Sequence, residues 1–198
     1  MILPTKWLGI AALIGSGVLA LNAGREYDVN DIWWADLGAS VEFLQANDLA
    51  PNLNYTTTRK ALTACMMTLG SQQFSVLDDD PKSKIALNCE ALAKEAVTRR
   101  EAHPEAHLIA AFRAVDLGDD VLASAELARS QEYAPVDRFN VEWRLILGHR
   151  LAAYGSDRLA DPYKCAEDFD LLATHLPTSQ TLNWLREAQS PLLAACGA

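Results

Sequence analysis

The sequence predicts an all-α protein. It begins with an N-terminal transmembrane or signal helix. An α-α superhelix of about three helix pairs follows, closed by a C-terminal capping helix. Three observations predict this. Apolar and small residues, above all alanine, recur at helical spacing along most of the 198 residues. Stretches of alternating β-branched and aromatic residues are absent, so no strand is expected. Proline, glycine and capping residues punctuate the chain at intervals that suit helices.

The first element is the stretch from Trp7 to Gly24, 18 residues without a charge, with Lys6 before it and Arg25 after it. It has the length of a membrane span or of a signal peptide. Val18-Leu19-Ala20 offers a cleavage site. Against cleavage, Ala12, Ser16 and Ala20 recur every fourth residue and place a small-residue stripe on one helix face, as helix pairs in lipid use. The reading favoured is a retained anchor; the alternative is cleavage and secretion to the periplasm. Lys6 on one side, and Arg25 with Glu26, Asp28 and Asp31 on the other, orient a single inner-membrane pass N-in, with the bulk of the chain periplasmic.

The expected division is residues 1–25 as anchor or signal, 26–54 as linker and short helix, and 55–198 as the helical domain. All 26 acidic residues follow Arg25 and outnumber the 15 Lys and Arg there, a net −11 for residues 26–198. That balance argues against nucleic acid and against broad contact with anionic lipid.

The helices follow in order. Asp31 caps a helix from Ile32 to Ala46. In it Trp33 and Trp34 either pack on the first repeat or meet a membrane surface or partner groove. Residues 48–54 form a loop. Tyr55 to Gly70 is a helix capped at Asn54, with Ala61, Ala64, Cys65 and Thr68 on a small-residue face. Ser71 to Asp80 is a loop, and Pro81 opens a helix from Lys82 to Arg100. The run Asp78 to Asp80 suits a helix start better than a calcium loop, because no alternating ligands follow it. Pro104 opens a helix to Leu117. After a break at Gly118-Asp119, a second runs from Asp120 to just before Pro135. Further helices span Asp137 to Tyr154 and Pro162 to just before Pro177. Ser179 caps a last one through Gln189.

The stretch Pro104 to Pro135 resembles a tetratricopeptide repeat, a helix–turn–helix unit of about 34 residues. Gly118-Asp119 fall at the inter-helix turn. Ala123 is the small residue early in the second helix, Leu127 the large one a turn later, and Pro135 the terminal proline. His107 departs from the usual Trp, and Ala110-Ala111 from the usual Leu-Gly. Cys89, Ala93 and Ala96 lie one repeat length before Ala123, Leu127 and Ser130. Cys165, Phe169, Leu172 and Pro177 repeat the spacing of Ala123, Leu127, Ser130 and Pro135. The resemblance covers about Tyr55 to Gln189.

The resemblance implies a concave face lined by the first helix of each pair. On that face Arg113, Arg144 and Arg150 would form a basic stripe for an acidic or C-terminal peptide segment. It also implies that Cys65 packs on Cys89, making that pair the first choice of disulfide and leaving Cys165 with Cys196. The alternative is four free thiols serving as small core residues.

The four cysteines contain no Cys-x-x-Cys pair. His103 and His107 read as a surface pair. No phosphate loop or nucleophile elbow is present, so no cofactor, metal or catalytic residue is predicted. The function expected is a membrane-anchored periplasmic scaffold, an accessory or assembly subunit of an envelope complex. The alternatives are a secreted peptide-binding adaptor and a glycan hydrolase whose two carboxylates the sequence does not identify.

Overall fold

The computed structural model describes residues 37–46, 53–154 and 162–197. Within them lie α1 (Leu37–Ala46), α2 (Tyr55–Leu69), α3 (Gln72–Ser75), α4 (Asp79–Thr98) and α5 (Pro104–Leu117). They are followed by α6 (Asp120–Tyr133), α7 (Arg138–Ala153), α8 (Cys165–His175), α9 (Gln180–Glu187) and α10 (Pro191–Ala195). No strand occurs among the described residues.

Local chemistry sets most of the helix ends. Asn54 accepts from the Thr57 N–H at the start of α2, Asp119 from Leu122 at α6, and Asp137 from Asn140 at α7. Each satisfies an N–H that the helix itself leaves unpaired. Pro104 occupies the first turn of α5, where a missing N–H costs nothing. Gly118 ends α5 at φ 72°, in the left-handed region, and lets the Asp119 N–H return to the Ala114 carbonyl. The helix predicted from Lys82 begins three residues earlier. Asp79 and Asp80 are already helical and complement the N-terminal dipole. Two short helices, α3 and α10, were not expected.

α5 is the hub: it packs most closely on α6 and also touches α2, α4 and α7. α2 pairs with α4, and α7 with α8, so three successive antiparallel pairs share one continuous core. The seams carry small residues. Ala111 and Ala114 of α5 and Ala123 and Ser130 of α6, the two helices that pack most closely, are all fully or almost fully buried. At Gly70, just past the end of α2, an added Cβ would run into the Trp143 ring of α7, so that ring can lie there only because the position lacks a side chain. This is an all-α architecture of packed helices, consistent with a helical-repeat fold.

The expected membrane helix is corrected. Among the described residues no helix is long and apolar enough to cross a membrane. The stretch Trp7 to Gly24, with Ala12, Ser16 and Ala20, lies outside the described residues, as do Trp33 and Trp34. The single-pass inner-membrane topology, the contact with a membrane complex through that helix, and the anchored accessory-subunit role all rested on the span.

Candidate functional site

One face of α5 remains open between α4 and α6. The helical spacing of His107, Ala110, Ala114 and Leu117 brings them to that face. Ala93 and Val97 of α4 and Leu122 of α6 form the aliphatic walls of a groove of about 510 Å³. Val97 is 45% exposed, Leu117 74% and Leu122 45%. These aliphatic side chains therefore present apolar surface to solvent.

Several polar groups of the groove engage one another. Arg129 donates from Nη1 to Glu126 Oε1 at 2.6 Å, and His107 Nδ1 lies 2.7 Å from Glu126 Oε2. An ionised carboxylate only accepts, so His107 donates from Nδ1, and in the tautomer with one ring proton the lone pair is on Nε2. Nε2 has no hydrogen-bond partner among the described residues. Tyr133 stacks on the His107 ring at 5.2 Å and 8°, fixing its plane. Arg113 faces Glu90 at 3.4 Å and Asp116 at 3.8 Å. Burial raises the Asp116 pKa, against the opposing effect of Arg113 and Arg150.

A second pocket, of about 440 Å³, lies where the N-terminal portions of α2, α5 and α7 converge, with Thr56, Thr63 and Phe139 among its lining. Arg59 sits 3.1 Å from Glu105 and 3.6 Å from Asp137. The Arg59 pKa is raised, chiefly by the Glu105 charge. Glu105 is buried, and its Oε2 has no protein partner. A glycan hydrolase needs one of two acids kept protonated by apolar or like-charged surroundings. An arginine between Glu105 and Asp137 supplies the opposite, so the pocket does not favour that chemistry.

The predicted basic stripe does not assemble. Arg144 is fully buried and donates to both Asp168 oxygens at 2.7 Å; it also donates to the Ser130 and Ala134 carbonyls at 3.3 and 3.1 Å. Asp168 receives the Tyr163 hydroxyl at 2.9 Å and Gln131 Nε2 at 3.3 Å as well. Burial and the Asp168 charge push the Tyr163 pKa well up. This network ties α6, α7 and α8 together, and Arg144 has nothing left for a partner. Arg150 lies over the Phe112 ring at 5.0 Å, and Arg113 is ion-paired as above.

His103 and His107 are not a surface pair. Both are buried, His103 against Tyr55 at 4.3 Å with Nε2 on Glu101, and His107 on Glu126. Cys65 is joined to Cys89, between α2 and α4, and Cys165 to Cys196, between α8 and the end of α10. Glu105, Glu126 and Asp168 escaped sequence reasoning because acids at helix starts and on outer faces look alike in sequence. Only the i, i+3 placement of Arg129 after Glu126 gave a local signal.

No protein-family model, curated protein or solved structure matches the chain, so the fold and the two pockets carry the functional reading by themselves.

Proposed function

We propose that the chain is a peptide-binding adaptor of the tetratricopeptide type, and that the groove over α5 holds a segment of a protein partner. The open aliphatic groove carries this reading: Val97, Leu117 and Leu122 expose apolar surface on an acidic protein. Contiguous apolar surface rimmed by charge marks interaction sites. Arg113, Arg129, Glu90 and Glu126 of the rim are paired within the protein, so recognition rests largely on shape and apolar contact. The repeat assignment is supported by the three helix pairs, by Gly118 in the left-handed conformation at the turn, and by the buried small residues Ala123 and Ser130.

The test is selection of peptides from a displayed library on the full chain, followed by affinity measurement on the double variant Val97→Asp, Leu122→Asp. Both residues are about half exposed, so the fold tolerates the change. Desolvating a new carboxylate at the contact weakens binding by at least about tenfold, with helix content unchanged. Selected peptides that bind the variant as tightly as the parent would refute the groove as the site.

A further inference from the structure

We propose that the groove over α5 selects a segment bearing a tryptophan or tyrosine side chain, whose indole N–H or phenol O–H donates to His107 Nε2. This rests on the adaptor reading and deepens it by naming the ligand chemistry.

The groove is aliphatic on both walls, with Ala93 and Val97 on one side and Leu122 on the other. Several of its polar groups are paired with one another, while Lys94 stands on the α4 side. Glu126 accepts from His107 and Arg129, and Arg113 faces Glu90 and Asp116. His107 Nε2 is an acceptor with no hydrogen-bond partner among the described residues, on a side chain about nineteen-twentieths buried that lines the groove. A lone acceptor on an apolar wall asks for a ligand with one donor on a large apolar body. Tryptophan and tyrosine are the side chains built that way. A phenylalanine or leucine would fill the groove and leave Nε2 desolvated and unpaired, which is costly. A backbone N–H would bring a carbonyl that needs its own donor.

Glu126 makes the acceptor what it is. As a carboxylate it takes the Nδ1 proton and leaves the lone pair on Nε2. In Glu126→Gln the amide oxygen is drawn to Arg129, which only donates, and the amide NH₂ then faces Nδ1. The ring proton moves to Nε2, and the groove changes from accepting to donating.

The experiment titrates the full chain at about pH 8. The probes are N-acetyl-tryptophanamide, N-acetyl-tyrosinamide, N-acetyl-phenylalaninamide and N-acetyl-leucinamide. Binding is followed by NMR with ¹⁵N-labelled histidine, which reports the His107 tautomer directly. Tryptophan, tyrosine or both bind at least about fivefold tighter than phenylalanine, and the His107 Nε2 resonance shifts on binding. In Glu126→Gln the tautomer inverts and the preference disappears. Equal affinity for phenylalanine, tighter binding of leucine, or an Nε2 resonance unmoved at saturation overturns the proposal, whether or not the variant folds. A groove occupied by a second copy or by another part of the chain leaves no room for the probes, and the absence of saturable binding also overturns it. Library selection separates the two levels. Peptides that bind in the groove without tryptophan or tyrosine sink the ligand assignment alone, and a library yielding no groove-dependent binder sinks the adaptor reading.

Discussion

Replacing Arg144 by methionine should destabilise the fold more than a typical substitution does. Arg144 and Asp168 are both buried to within 1% and are joined by two hydrogen bonds of 2.7 Å. Removing one partner strands the other charge in the interior, which costs about 3–5 kcal/mol. For a chain of this size that is a fall of roughly 6–20 °C in Tm. Asp168→Leu should cost a similar amount. The double variant Arg144→Met, Asp168→Leu removes both charges together. What it leaves is the Tyr163 hydroxyl without its acceptor, and the Ser130 and Ala134 carbonyls without Arg144. Gln131 keeps its bonds to the Lys164 backbone. The double variant should therefore lose only about 1–3 kcal/mol, where additive single effects would give about 6–10 kcal/mol. Urea unfolding followed by circular dichroism, with disulfides intact and m held common, measures all four corners of the cycle. Single losses under about 1 kcal/mol, or an additive double variant, would show that the pair does not hold α6, α7 and α8 as argued.

Two further perturbations follow from the same structure. The disulfides close segments with sequence separations of 24 and 31, and the loop-entropy relation gives about 3.5 kcal/mol for each. Reduction should therefore lower the urea midpoint markedly. Alkylation before and after reduction, read by mass, should label four cysteines only afterwards; four labels without reduction would contradict both bridges. Burial lowers the pKa of His103, against Glu101, and of His149, with help from Arg150. A histidine depressed below its ordinary value of 6.5 binds its proton more weakly folded than unfolded. Its stabilising contribution is present above that value and is lost as pH falls from 6.5 through the folded pKa. Urea midpoints measured from pH 8 to about 5 should decline, and His149→Asn should flatten the decline; an unchanged slope in the variant would remove His149 as a cause.

The course of most helices was legible in the sequence because helix ends are local. Pro104 at a first turn, Gly118 at a left-handed cap, and Asn54, Asp119 and Asp137 with side chains on nearby N–H groups act within four residues. α3 and α10 went unread because four or five residues give no periodicity to detect. The polar site was much less legible. Arg144 and Asp168 are 24 residues apart and His107 and Glu126 are 19 apart, and no local pattern announces either pair.

Sequence by itself determined the helical class, the punctuation of the chain, and the small-residue seams that let helices approach, since each is written in neighbouring side chains. Tertiary structure decided which charges are consumed and which groups stay open. It buried Arg144, which read as a ligand for a partner, and set His107 in a groove when it read as a surface residue. The reason is physical: ion pairing and burial depend on distances between helices, and those are fixed only when the helices have packed.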